Sequence, residues 1–148
     1  MIEITNQPID MDQVLSSVRD ERCGASLLFL GTTRSITNGK QTVSLEYECY
    51  EGMARQMLGQ LAAEAQQRWS ILKCAIVHRV GPVDVGESSI VIAVSSPHRA
   101  DAFAAGQWLI DSIKDSVPIW KKELWGDGNE QWQHPQVDWE SRKRLSSP

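Results

Sequence analysis

The stretch Ser95–Glu123, SSPHRADAFAAGQWLIDSIKDSVPIWKKE, is the one on which the rest of the chain depends. Its opening has the form of a helix start. Ser95 or Ser96 can cap, and Pro97 suits the first helical position because its missing N–H is not needed there. That places His98 and Arg99 in the first turn, where unpaired N–H groups and the helix dipole already favour an anion. The helix then turns Ala102, Phe103, Leu109, Ile110 and Ile113 toward a core. It stops at or before Val117, because Pro118 restricts the residue ahead of it. From Ile119 to Trp125 the pattern is extended, with Ile119, Lys121 and Glu123 on one side and Trp120, Lys122 and Leu124 on the other. Adjacent lysines in a strand point opposite ways, so at most one of Lys121 and Lys122 puts its side chain into a given pocket.

Working outward, Ser89–Ser95 (SIVIAVS) is a β-branched run that reads as a central strand. Lys73–Val80 (KCAIVHRV) is another strand, followed by a turn at Gly81-Pro82. His78 lies mid-strand and reads as a structural or surface histidine. Met1–Thr5 alternates as a first strand. Asp10 or Asp12 caps a helix reaching about Arg22, with Met11, Val14, Leu15 and Val18 at i, i+3, i+4, i+7. Ala25–Leu30 is a short apolar strand bounded by glycines. Thr42–Cys49 alternates in period two, with Val43, Leu45, Tyr47 and Cys49 on one face. A helix after Gly52 presents Met53, Met57, Leu61, Ala65 and Trp69, and Ser70 closes it.

Gly31-Thr32-Thr33-Arg34 ends the second strand. A glycine and two hydroxyl residues there present N–H groups and Oγ atoms to an anion, and Arg34 adds a planar fork suited to phosphate or carboxylate. A polar turn with a solvated arginine has the same pattern. Asn38-Gly39 marks a hairpin turn or a mobile loop.

The bounds are those of one ordinary globular domain: 148 residues, 41% hydrophobic and 23% charged. A net charge of −4 gives no basis for binding nucleic acid or an acidic membrane surface, so any anionic ligand must be held by a local cluster. No run approaches the length of a membrane helix, and MIEITNQPID has no signal-peptide pattern. Cys23, Cys49 and Cys74 lack metal-type spacing and read as reduced thiols, which fits the cytoplasm. The polar segment Gly126–Pro148 carries Trp132, Trp139, Val137 and Leu145, the pattern of a tail anchored by aromatics on its own domain or a partner. Arg142-Lys143-Arg144 reads as a solvated end.

No composition rule names a reaction. The chain has no P-loop, GxGxxG, HExxH or CxxC, and no Ser-His-Asp grouping. What remains is an anion-binding group with lysines and no evident protein nucleophile, which suggests that the nucleophile arrives from elsewhere.

Five motifs then carry a resemblance: GTTR at 31–34, LEYECY at 45–50, HRVG at 78–81, SSPHR at 95–99 and KDSVPIWKKE at 114–123. In this order and spacing the chain resembles the large, catalytic subunit family of molybdopterin synthase, over about Ala25 to Glu123. Pro97 stands where family members often carry a small residue. The resemblance implies an α/β fold of the α+β type: a hammerhead-like single domain over residues 1–125, mostly antiparallel sheet with flanking helices, and a Trp-containing tail over 126–148. It implies a sulfurtransferase that converts cyclic pyranopterin monophosphate to molybdopterin. Sulfur would come from the thiocarboxylated C-terminal Gly-Gly of a small ubiquitin-like subunit, in a heterotetramer built on a homodimer of large subunits. No metal or other cofactor is implied. Lys114 and Lys121 match the family's catalytic lysines; Arg34, His98 and Arg99 match its substrate-binding positions, to which Thr32, Thr33 and Lys122 are added as neighbours. A non-catalytic docking module for a ubiquitin-like tail, and another phosphate-ester enzyme, remain open alternatives.

At 1.5 Å per residue, a straight helix separates Arg99 from Lys114 by roughly 22 Å. Either Gly106 breaks the helix or its two ends serve different pockets, and a two-fold dimer would bring the ends of different chains together.

Overall fold

The computed structural model describes residues 1–133. Along the chain run β1 (Ile2–Thr5), α1 (Met11–Ser17), β2 (Ala25–Thr32), β3 (Ile36–Thr37), β4 (Lys40–Cys49), α2 (Glu51–Arg68), β5 (Lys73–Arg79), β6 (Gly81–Asp84), β7 (Ser88–Ser96), α3 (Arg99–Ser116), β8 (Ile119–Trp125) and β9 (Glu130–Gln133). This is the expected α+β domain, with antiparallel pairing throughout except between β1 and β5.

The β-branched run Ile90–Val94 forms the middle of a four-stranded sheet, order β1-β5-β7-β2. Because side chains alternate across a strand, β7 feeds two cores. Val91 and Ala93 join Ala75, Val77, Val14 and Val18 beneath α1. Ile90, Ile92 and Val94 join Ile76, Leu58 and Leu109 beneath α2 and α3. A second sheet has the order β3-β4-β8-β9, with β6 also paired to β4.

Several sequence-based expectations shift, each for a local reason. The first helix ends at Ser17 rather than near Arg22. Asp20 accepts from the Arg22 backbone N–H and guanidinium, which closes a turn in place of another helical one. On α2 the buried stripe is Ala54, Leu58, Ala62 and Ala65, one position round from the expected one, and Met53 is 55% exposed. On α3 the inner stripe is Ala102, Ala105, Gly106, Leu109, Ile110 and Ile113, so Phe103 lies outside it at 62% exposure. In both helices small residues let backbones approach closely. A Cβ on Gly106 would stand 2.4 Å from Leu27 Cδ2 of β2. Gly106 therefore seats the helix on the sheet and does not break it.

On β4 the register against β8 slips between Thr42 and Ser44, so Thr42 and Leu45 are buried while Val43 is exposed. The bulge is invisible to strict alternation. The Gly81-Pro82 pair opens the short strand β6 rather than a turn; proline is tolerated at such a strand start. Ser95 and Ser96 belong to β7, and His98 rather than a serine is the N-cap of α3. Residues 130–133 add β9 to the second sheet, so that sheet continues past residue 125. The expectations for Val137, Trp139, Arg142–Arg144 and Leu145 fall outside the described residues. Among those described, no helix is long and apolar enough to cross a membrane.

Candidate active site

The two sheets and the C-terminal end of α3 enclose a cavity of about 470 Å³. Pro118 sets its geometry. It ends α3, the Val117 N–H bonds back to the Ile113 carbonyl, and the chain turns directly into β8. Lys114 in the last helical turn and Lys121 in β8 thereby line the same cavity. Arg34 reaches it from the segment after β2. There the β2–β7 register shifts between Gly31 and Thr32, and Thr32 also lines the cavity.

Thr33 does not line it. Its side chain is buried, and its backbone is clamped: its N–H donates to the Glu87 carbonyl (3.0 Å), and its carbonyl accepts from the Gly86 N–H (2.9 Å). The Glu87 carboxylate accepts from the Asp84 N–H (2.9 Å) and the Arg79 guanidinium (3.1 Å). The β6–β7 turn thus fixes the main chain immediately before Arg34.

The cationic cluster is coupled. Burial holds the Lys121 amine below the usual lysine range; the charges of Lys114 and Arg34 push the same way, against Glu123, which pulls it up. A partly buried amine beside other cations gives up its proton more readily than a free lysine does. Glu123 is 2% exposed and lies on the cavity wall, accepting from Thr42 Oγ1 (2.7 Å) and Gln133 Nε2 (3.0 Å). As a site residue it was missed by sequence reasoning, although the alternation along β8 put it on the side of Lys121. Its partners were not findable: one sits beside a bulge and the other in β9. Tyr47 stands across the ladder from Lys121, and burial pushes its phenol up.

Besides Thr33, three expected site residues lie away from the cavity. Lys122 is on the opposite face of β8, paired with Glu46 (3.1 Å) and Glu130 (3.7 Å) and set over the Trp132 ring. His98 and Arg99 are at the far end of an α3 unbroken from Arg99 to Ser116. The His98 backbone N–H donates to Ser96 Oγ (3.3 Å), and the Gly24 N–H donates to the Pro97 carbonyl (3.3 Å). A Cβ on Gly24 would come within 2.7 Å of that carbonyl oxygen, so only glycine allows this contact. No cysteine lines the cavity. Burial pushes the Cys49 and Cys74 thiols up, Cys74 to about 11, which keeps them protonated and poorly nucleophilic. Among the described residues no cluster of histidine, cysteine or carboxylate side chains would hold a metal.

Residues 4–116 match the family model described as "MoaE protein". The chain belongs to the MoaE protein family. A Bacillus subtilis (strain 168) relative named molybdopterin synthase catalytic subunit is 51% identical over 136 residues, which is 92% of this chain and 86% of that one. The crystal structure of molybdopterin synthase from Staphylococcus aureus contains a similar chain at 42% identity and a TM-score of 0.85, covering 89% of this chain and 96% of that one. The molybdopterin biosynthesis MoaE protein from Burkholderia ambifaria MC40-6 is similar at 32% identity and a TM-score of 0.78, covering 99% and 98%. The MoaE match ends at Ser116, so Lys114 falls within it while Lys121 and Glu123 lie beyond.

Proposed function

We propose that this MoaE-family chain is the catalytic subunit of a cytoplasmic molybdopterin synthase. It transfers sulfur from the thiocarboxylated C-terminus of a small ubiquitin-like subunit to cyclic pyranopterin monophosphate, and the product is the molybdopterin dithiolene. The observation that carries this is the convergence of Arg34, Lys114 and Lys121 on one cavity to which no cysteine contributes. Both reactants are anions, a thiocarboxylate and a phosphate ester. A pre-arranged cationic pocket overcomes their repulsion and holds them in contact. The attacking sulfur is supplied by the partner, so the chain needs no nucleophile of its own.

Within this scheme Arg34 and the Thr32 hydroxyl bind the phosphate. Lys114 stabilises negative charge that develops as sulfur adds to the pterin, and Lys121 manages a proton, for which its lowered pKa suits it. His98 and Arg99 complete the phosphate site from a second copy of the chain in a homodimer. A small subunit docks at each end to make a heterotetramer.

Incubating the protein with the pyranopterin and a thiocarboxylated small subunit tests the reading: dithiolene should form, at the expense of the thiocarboxylate. A small subunit that binds without any dithiolene appearing would leave a docking module and defeat the catalytic assignment.

A further inference from the structure

His78 lines the same cavity from β5 and plays no part in the scheme above. Its imidazole is 5% exposed and meets Tyr47 edge to face, with ring centroids 5.2 Å apart and planes at 70°. Nδ1 lies 2.8 Å from the Arg79 carbonyl oxygen. A carbonyl oxygen only accepts, so Nδ1 carries the ring proton. Burial pushes the pKa down to about 4, outweighing the opposite effect of that hydrogen bond, and the ring is neutral at physiological pH. Nε2 is then a bare lone pair on the ring's other side. The ring's hydrogen bond is through Nδ1, and Nε2 is not among the buried side-chain atoms left without a partner, which leaves it open to the cavity that His78 lines.

The surroundings indicate what would donate. Tyr47 is the cross-strand neighbour of Lys121, so His78, Tyr47 and Lys121 follow one another along the cavity lining. Phe29, Ile90, Ile110 and Ile113 supply apolar wall. A flat heterocycle with an anionic substituent fits this layout, its charge toward the lysines and its ring N–H groups toward the imidazole.

We propose that His78 Nε2 accepts a hydrogen bond from an N–H group of the pterin ring and so selects which edge of the heterocycle faces away from the lysines. The inference rests on the pyranopterin substrate proposed above and adds to it a residue that reads the ring rather than the phosphate.

Two variants remove the acceptor in different ways. His78→Asn retains a donor for the Arg79 carbonyl but has nothing in place of Nε2; His78→Phe retains the ring volume and the Tyr47 contact. Binding of cyclic pyranopterin monophosphate is measured by calorimetry without any small subunit, and inorganic phosphate is measured as a competitor. Both variants should bind the pterin about 10-fold more weakly, with phosphate competition unchanged, KM raised more than kcat is lowered, and partial recovery in His78→Gln, whose amide oxygen can stand near Nε2. If only one of the two folds, that one decides. Pterin binding equal to wild type, a parallel loss of phosphate affinity, or a loss confined to small-subunit binding would each overturn the contact. Wild-type protein that binds the pterin but makes no dithiolene would defeat the sulfur-transfer reading and leave the His78 contact to the binding data. Failure of wild-type protein to bind the pterin would defeat both.

Discussion

Arg99 opens α3 and Lys114 stands in its last turn, with no break in the helix between them. Fifteen residues at 1.5 Å each put their backbones roughly 22 Å apart, beyond the reach of one pterin phosphate. If both bind the substrate, they do so in different copies of the chain. Arg99→Ala and Lys114→Ala homodimers should each be nearly inactive. Mixing them should restore up to about a quarter of wild-type activity, because half of randomly assorted dimers are hybrids and each hybrid has one intact site of two. Mass spectrometry checks that hybrids form. Hybrids without activity would place the whole site within one chain.

The lowered pKa of Lys121 has identifiable causes, and they oppose one another. Burial, Lys114 and Arg34 lower it; Glu123 raises it. If protonated Lys121 is the working form, kcat falls as pH rises through its pKa. Arg34→Gln removes a neighbouring positive charge, so the alkaline limb of the kcat profile should move to higher pH while KM for the pterin rises. Glu123→Gln removes the carboxylate that favours the charged amine, so the limb should move to lower pH. The opposite signs are the test. Movement of both limbs in one direction would mean that these charges do not set the Lys121 pKa.

Lys114 contributes a charge without a scaffold role that would make its loss unfold the chain: it is an exposed residue in the last helical turn, at the lining of the cavity. Lys114→Ala should lower kcat by about 10²–10³-fold, the usual effect of removing one charge-stabilising group, and leave the affinity for the small subunit unchanged. Titration calorimetry with the carboxylate form of the small subunit separates the two effects. Near-normal turnover would remove Lys114 from the chemistry.

What could be read from sequence divides along physical lines. Pro118 announced both the end of α3 and the start of β8, because its ring constrains the backbone locally. The join that brings Lys114 beside Lys121 was therefore legible. The alternation along β8 likewise put Lys121 and Lys122 on opposite faces, as found. The misplaced stripes on α2 and α3 have one origin. Periodicity alone turns the large side chains Met53 and Phe103 inward, whereas tight helix packing selects alanines and a glycine and leaves the large residues outside. The bulge at Val43 and the pairing of β6 with β4 are long-range events with no local signature. The bulge turns Thr42 to the buried side, where its Oγ1 donates to Glu123 (2.7 Å), a contact that strict alternation does not show.

The seat of Gly106 on Leu27 makes a stability prediction that separates packing from propensity. Replacing glycine by alanine within a helix ordinarily gains about 1 kcal/mol. Here the new Cβ would meet Leu27 Cδ2 at 2.4 Å, and overpacking costs about 1–3 kcal/mol. Gly106→Ala should therefore be destabilising by roughly 1 kcal/mol in urea denaturation, against the propensity trend. Leu27→Ala alone should cost about 2–3 kcal/mol. The double variant should cost less than the sum, since the added methyl fills space that the leucine vacated. Strict additivity would show that α3 moves away from the sheet rather than pressing on Leu27.

His78 makes a prediction about acid. Its pKa is about 4 in the folded protein, against 6.5 for the free side chain. Between those values the unfolded chain binds a proton that the folded chain refuses, so this residue makes stability rise with pH across the window. Its contribution is complete above about pH 6.5 and is lost as pH falls toward 4. A shift of this size corresponds to roughly 3 kcal/mol over the interval. Carboxylates also titrate there, so the informative quantity is a difference. Wild-type protein and His78→Phe, which has no titrating group at this position, should converge in urea midpoint between pH 7 and pH 4.5, with wild type losing more of its stability. Parallel pH profiles for the two proteins would mean that the imidazole becomes protonated without penalty in the folded state, and would also remove the neutral acceptor on which pterin recognition by His78 depends.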